Sequence, residues 1–334
     1  MMLRVAQIWE LLEEHFSSSL QESYDNCGLQ VGDPEAIATG VLCCVDITEA
    51  VLQEAVERGC NIVIAHHPLL FKGLKRLGTS SYIERCVRFA LKHDLAIYAA
   101  HTSADNAAKG LNWRLAQDFG LLQPRVLLPQ TDRLLELTVY VPEAAAAAVA
   151  EALWAAGAGR VGSYDSCSWR SSGQGSFRPL AGAQPYVGEL GALHYEPEER
   201  LSLVLPSHLR ARVEAALLKA HPYEVPAYSF TQLLDTRGTT GAGIVGELPQ
   251  PVALAEVKRY FATEQLRYSR AEATRQIQRV ALCGGAGAFL WPEARRAGAD
   301  ILITGEAKYN DYFDCESAPI LATVGHYESE RISA

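Results

Sequence analysis

The sequence predicts an α/β protein: a three-layer α/β/α body of two lobes, interrupted by a ferredoxin-like α+β insert. Three observations carry this. Strand-like and helix-like runs alternate from Val41 to Gly120, the same rhythm returns from Val280, and the stretch between them follows a different pattern. Alternating strands and helices imply parallel strands joined by crossover helices. The expected boundaries are 1–128 for the first lobe, 129–238 for the insert and 239–334 for the second lobe.

Residues 1–14 read as an amphipathic helix with no long apolar core and no small-residue cleavage site, so no signal peptide is expected. Strand 41–47 follows, then a helix over 49–58 that ends at Gly59, a C-cap residue. Next come strand 62–65, helix 81–93, strand 95–100, and a helix over 111–119 closed by Gly120. In such sheets ligands gather beyond the carboxyl ends of the strands. The middle opens with strand 134–141 and an Ala-rich helix over 143–156. A polar, Gly/Ser-rich stretch covers 163–182, with strands at 188–194 and 201–205, a helix at 209–219 and an extended run at 221–230. This order suits a ferredoxin-like unit. Gly-rich residues 235–246 read as its exit linker. The final part gives strand 280–283, a turn at 284–287, helix 291–297 and strands 301–304 and 320–324.

With 334 residues, 49% hydrophobic and 21% charged, the chain has the composition of an ordinary globular protein with a large core. A net charge of -9 gives no electrostatic reason to expect DNA or RNA binding. No apolar run approaches the roughly eighteen residues of a membrane span. The eight Cys are scattered without a C-x-x-C pair, and several lie in apolar runs. That favours a reducing, cytoplasmic setting and argues against zinc fingers.

Chemistry concentrates at three strand ends. His66 and His67 close the apolar run 62–65, His101 and Asp105 follow the strand at 95–100, and His326 and Glu330 follow the last strand. Neighbours on an extended strand point in opposite directions, so His66 and His67 serve two ions, or one ion if the chain bends there. The alternative is that they cap the strand by hydrogen bonds. Asp105 suits a hard carboxylate ligand; the alternative is a helix cap. His101 is either a ligand or a residue that orients one. His326 and Glu330, four apart, share a face if a helix begins there; the alternative is an exposed polar helix start. Imidazole plus carboxylate without thiolate suits Zn, Fe, Mn or Co in an open site. Two divalent ions about 4 Å apart would polarise a substrate oxygen and provide hydroxide at neutral pH, which points to metal-assisted hydrolysis. The 284–287 glycines fit no phosphate-binding pattern and read better as a tight strand-to-helix turn.

Several stretches resemble one known family in order along nearly the whole chain. They are Asp25-Asn26-Cys27-Gly28-Leu29-Gln30-Val31-Gly32, His66-His67-Pro68-Leu69-Leu70-Phe71, His101-Thr102-Ser103-Ala104-Asp105-Asn106, Gly243-Ile244-Val245-Gly246-Glu247-Leu248-Pro249, Ile303-Thr304-Gly305-Glu306 and Gly325-His326-Tyr327-Glu328-Ser329-Glu330. The chain is similar to the YbgI-like family, the GTP cyclohydrolase I type 2 homologues related to the Ngg-interacting factor. Its insert, with His221-Pro222-Tyr223-Glu224, resembles the PII/CutA-like domain of the longer members. The resemblance implies two divalent metal ions per subunit. His66, His67, Asp105 and His326 would be ligands, Glu330 would bridge the ions, and His101 would sit just outside the ligand set. It also implies a ring-shaped homohexamer and opening of a GTP imidazole ring as the named activity. Two departures stand out: Asn310 occupies a position where members commonly have His, and four residues follow Glu330 where members usually continue through a helix and a last strand.

Two functions follow as expectations. One is a dinuclear-metal-dependent hydrolase using metal-bound hydroxide on a nucleotide or other phosphorylated small molecule. The other is a non-catalytic, metal-binding regulatory or scaffold protein. A transcription-linked, nucleic-acid-binding role is disfavoured by the acidic balance.

Overall fold

The computed structural model describes residues 2–130, 134–234, 238–315 and 318–333. It divides into two compact units, Met1–Gln130 with Gly238–Ala334, and Thr131–Arg237. No helix among the described residues is long and apolar enough to cross a membrane.

The first unit begins with α1 (Val5–His15), β1 (Gly28–Val31), β2 (Val41–Cys44), α2 (Glu49–Glu57), β3 (Ile62–Ala65), α3 (Tyr82–Lys92) and β4 (Ala96–Ala99). Their four strands form one sheet in the order β1-β4-β3-β2. β2, β3 and β4 run parallel, and β1 is an antiparallel edge on β4. Local signals set the helix ends. The Thr48 hydroxyl accepts from Val51 N–H at the start of α2, and the Ser81 hydroxyl accepts from Glu84 N–H at the start of α3. Gly59 takes φ +71° behind α2, as a C-cap glycine does. Both sheet faces are covered. Leu52, Ala55, Cys86 and Ala90 pack on Val63, Ala65 and Ile97, while Val5 and Ile8 of α1 pack on Ile62 and Ala96. Burial on both faces is why β3 and β4 read as continuous apolar runs.

The chain continues through α4 (His101–Asn106), α5 (Leu111–Asp118) and β5 (Leu122–Pro129). β5 does not join the first sheet. It forms the edge of a six-stranded sheet whose other strands all come after residue 238.

The second unit contains β6 (Leu134–Pro142), α6 (Ala146–Ala155), β7 (Trp169–Phe177), β8 (His194–Pro206), α7 (Arg210–Ala220) and β9 (Tyr228–Leu233). Its sheet is antiparallel in the order β7-β8-β6-β9. One face, including Leu137, Val139, Leu201 and Leu203, packs on Val149 and Leu153 of α6 and Val213 and Leu217 of α7. Two expectations need correction here. The polar stretch 163–182 contains β7, and a strand at 188–194 is absent, since β8 starts only at His194. β7 is an edge strand with most of its side chains in solvent. Its pairing comes from the backbone ladder to β8, so no apolar alternation betrays it.

The first unit resumes with β10 (Gly241–Ala253), β11 (Arg267–Tyr268), β12 (Gln276–Cys283), α8 (Trp291–Arg296), β13 (Ile301–Thr304), β14 (Ile320–Thr323) and α9 (His326–Glu330). The sheet order is β11-β14-β13-β12-β10-β5, with β12, β13 and β14 parallel and the other pairings antiparallel. The expected exit linker is corrected over 241–246, which forms the buried start of β10; residues 235–237 lie outside the described residues. Glycine serves close packing there. At Gly243, φ +66°, an added Cβ would sit 2.9 Å from both Leu282 O and Leu290 Cδ1. Alternate residues feed two cores: Ile301 and Ile303 join Leu115 and Phe119 on one side, and Leu302 joins Leu290 and Ala294 on the other.

Candidate metal centre

The carboxyl ends of β3, β4 and β14 converge. Beyond β3 the ladder extends by two bonds, His66 N–H to Cys44 O at 3.0 Å and His67 N–H to Val45 O at 2.9 Å. The backbone bends at this point and leaves the two rings 5.1 Å apart between centroids. The bend turns both rings toward the same space instead of toward opposite faces of the strand. Beyond β4, His101 N–H bonds His66 O at 2.9 Å, and His101 takes φ +28°, a left-handed turn that non-glycine residues rarely adopt. That turn starts α4 and places Asp105 one helical turn on. Beyond β14, Gly325 at φ +106° redirects the chain into α9, which carries His326 and Glu330 on one face.

The ligand-type atoms of His66, His67 and Glu330 all lie within 4.8 Å of one another. Glu330 Oε2 is 2.8 Å from His67 Nε2 and 3.1 Å from His326 Nε2, and the two imidazole Nε2 atoms are 3.2 Å apart. His66 Nε2 stands 3.6 Å from Glu330 Oε1 and 3.7 Å from Asp105 Oδ1, beyond hydrogen-bond range. Both His66 ring nitrogens, Asp105 Oδ1 and Glu330 Oε2 are buried without a hydrogen bond of acceptable geometry. Glu330 Oε2 is therefore close to nitrogens but not aligned with them. Buried polar atoms left unpaired are costly. Unpaired atoms of His66, Asp105 and Glu330, beside the His67 and His326 rings, match what a cation needs.

Outer carboxylates fix two of the rings: His67 Nδ1 lies 2.8 Å from Asp46 and His101 Nδ1 lies 2.7 Å from Asp25, while the exposed Glu306 stands 3.5 Å from His326 Nδ1. An Nδ1 partner of this kind selects the tautomer that leaves Nε2 free as a ligand. Asp25, its side chain fully buried, also accepts from Thr102 N–H at 3.1 Å, from the Thr102 hydroxyl and from Cys27 Sγ at 3.2 Å.

Charge in the cluster follows from these contacts. Burial opposes ionisation of Glu330, but the imidazoles of His326, His66 and His67 hold its carboxyl well below the usual range. Burial likewise opposes charging of His67, and the Glu330 and Asp46 carboxylates outweigh it, raising the ring to about 9. Burial pushes the Asp105 carboxyl up to about 6, with His66 pulling the other way and Glu330 adding to the rise.

The Gly284-Gly285 turn serves this cluster, not a phosphate. Its N–H groups are already used: Gly284 N–H donates to Asn112 Oδ1 at 3.0 Å and Gly285 N–H to Ser329 Oγ at 3.1 Å. Gly285 has φ +60°, and any Cβ there would collide with Glu330 Oε1.

The model of the family described as Duf34/NIF3 (NGG1p interacting factor 3) matches residues 3–334. The chain belongs to this family. It is 37% identical over 306 residues to a Halalkalibacterium halodurans protein named GTP cyclohydrolase 1 type 2 homolog, covering 90% of this chain and 82% of the relative. A Bacillus subtilis protein of the same name is 36% identical over 327 residues, covering 96% and 87%. Among solved structures, a Bacillus cereus protein related to NIF3 superposes with a TM-score of 0.82 at 33% identity, covering 99% of this chain and 90% of that one.

All six candidate residues of this NIF3-family chain lie in the first unit. His66, His67, Asp105, His326 and Glu330 meet at one place, as the distances above show. His101 stands beside them, its ring centroid 5.7 Å from that of His66 and 5.6 Å from that of His67. Sequence reasoning missed Asp25, Asp46 and Glu306. Asp25 and Glu306 do lie inside stretches that carry the family resemblance, which was the available signal; Asp46, two residues past the end of β2, offered none.

Proposed function

We propose that the cluster is a dinuclear divalent-metal centre and that the chain is a metal-dependent hydrolase acting on a nucleotide or another phosphorylated small molecule. One observation carries the metal reading: the buried, unpaired ligand atoms of His66, Asp105 and Glu330 at the meeting point of three strand ends. His66, His67, Asp105 and His326 would hold the ions, with Glu330 between them and His101 beside the set. Oxygen and nitrogen donors without thiolate suit Zn, Fe, Mn or Co. Such ions would supply Lewis acidity toward a substrate oxygen and acidify water.

The chain's own residues do the rest. Asp46 and Asp25 hold His67 and His101 in the orientation that leaves each Nε2 available. The glycine turn at 284–285 makes room for the Glu330 carboxylate. The covered positions of His66 and Glu330, 3% and 2% exposed, keep bulk water from satisfying the cluster. The names of the curated relatives support a nucleotide as substrate. Within this reading the chain works in the cytoplasm as a homo-oligomer, hexameric as the family resemblance implies.

The test is metal content of the purified protein by elemental analysis, beside an Asp105→Ala variant, followed by a nucleotide hydrolysis screen. About two transition-metal ions per chain, lost or halved in the variant, together with turnover that needs Asp105, is the expected result. Protein that is metal-free and takes up no added Zn, Mn or Fe would overturn it. Two ions without any turnover would leave a metal-binding regulatory protein.

A further inference from the structure

The second unit contains a cavity of about 730 Å³, and every residue lining it belongs to that unit. Its origin lies in the sheet. Helices α6 and α7 cover only the face carrying Leu137, Val139, Leu201 and Leu203. On the other face Ser171, Arg200 and Tyr140 form one cross-strand row and Gly173 pairs with Glu198 in the next. The irregular segment 178–193 roofs part of this face and is tied down where Gln184 N–H meets both Glu224 carboxylate oxygens at 3.3 and 3.2 Å. The space between roof and sheet is the cavity. Gly173 leaves it open, since an added Cβ there would touch nothing within 4 Å.

The lining has a definite chemistry. Tyr223 sits at the centre of an aromatic wall, 5.7 Å from Phe177 and 6.3 Å from Tyr186 between ring centroids. Two carboxylates also line it: Glu198 accepts from the Tyr223 hydroxyl at 3.0 Å, and Glu224 holds the roof. The two guanidinium groups, Arg178 and Arg200, line the cavity and make no hydrogen bond or ion pair among the described residues. Ser171, Gln174 and Ser176 add uncharged donors and acceptors. The volume lies in the range of sites for small organic ligands, which run from about 300 to 1,000 Å³. Aromatic faces accept a planar ring, and unpaired guanidinium forks accept phosphate or carboxylate.

We propose that this cavity binds a small organic anion with a planar ring, of the nucleoside-phosphate class, with the ring against Tyr186 and Tyr223 and the anion on Arg178 and Arg200. The site is separate in sequence and in unit from the metal cluster, so the proposal stands whether or not the cluster is catalytic.

The experiment is calorimetric titration of the full-length protein with AMP and GMP, with ribose 5-phosphate and inorganic phosphate as comparisons. Saturable binding of a nucleotide is expected, at least about tenfold weaker in the Arg178→Gln/Arg200→Gln variant, at least as much weaker for ribose 5-phosphate, and unchanged by EDTA. Gly173→Trp, which fills the cavity without meeting other atoms at its Cβ, should abolish binding while leaving the melting profile intact. Absence of saturable binding at millimolar nucleotide overturns the proposal. So does binding that survives both variants, or that EDTA abolishes, because the ligand then sits at the metal cluster. Equal affinity for ribose 5-phosphate or inorganic phosphate overturns the assignment of the aromatic wall.

Discussion

Replacing Gly285 by alanine tests the geometry of the cluster without touching a candidate ligand. The residue has φ +60°, where an L side chain costs about 1–2 kcal/mol. A Cβ there also collides with Glu330 Oε1, and forcing an extra carbon into a packed site costs a further ~1–3 kcal/mol. Together these predict about 2–5 kcal/mol of destabilisation. At roughly 2–4 °C per kcal/mol for a unit of this size, the melting transition of the first unit should fall by roughly 5–20 °C. Gly59→Ala is the matched control. Gly59 has φ +71° in the same unit, but a Cβ there meets nothing within 4 Å, so only the backbone term of about 1–2 kcal/mol remains. Differential scanning calorimetry of both variants, metal-free, gives the comparison. If the two melt together, the Glu330 carboxylate does not sit against the Gly285 turn, and the description of the cluster is wrong.

Three further outcomes are expected. Asp46→Asn removes the anionic partner of the His67 Nδ1 and should weaken metal binding by about 10–100-fold in a chelator competition assay; unchanged affinity would show that Asp46 does not orient a ligand of the ions. The metal-free protein should lose stability as pH rises from 6.5 to about 9, because His67 is raised in the folded state, so its contribution is full below the unfolded value and disappears through the folded one; by the same titration, apparent metal affinity should climb over that window as protons cease to compete, and a flat thermal melt and a flat affinity across it would both count against this charge assignment. Leu137→Ala, fully buried between the second unit's sheet and its helices, should cost about 2–5 kcal/mol and appear in that unit's calorimetric transition; a loss under about 1 kcal/mol would place Leu137 outside the core.

What the sequence made legible depended on burial. β3 and β13 have the expected bounds, 62–65 and 301–304, because parallel strands covered on both faces leave uninterrupted apolar runs. The same runs pointed to the cluster, since ligand-type residues stood just past their ends. β7 was invisible for the opposite reason: its side chains face solvent, and only backbone pairing makes it a strand. The start of β10 was misleading because Gly241 and Gly243 answer to close contacts from neighbouring chain, Leu128 O and Leu282 O among them, which no local pattern reveals. Asp46 was illegible because its role depends on a ring 21 positions away in the chain. β5 was overlooked because it pairs with a strand more than a hundred positions later.

That last pairing has a consequence for modularity. β5 and β10 are antiparallel neighbours, with Pro129 opposite Gly241 and Gln130 N–H bonded to Thr240 O at 3.0 Å. Residues 131–237 therefore leave and re-enter the first unit at the tip of a two-stranded ribbon, in the place where a hairpin needs only a couple of residues. Topologically the whole second unit is one very long hairpin loop. Closing such a loop costs little more than closing a short one, since the entropy grows only with the logarithm of length. A chain in which a tight Asn-Gly turn joins Gln130 to Thr240 should keep the six-stranded sheet intact, and the same tip offers a natural grafting point for a foreign domain whose own ends lie close together.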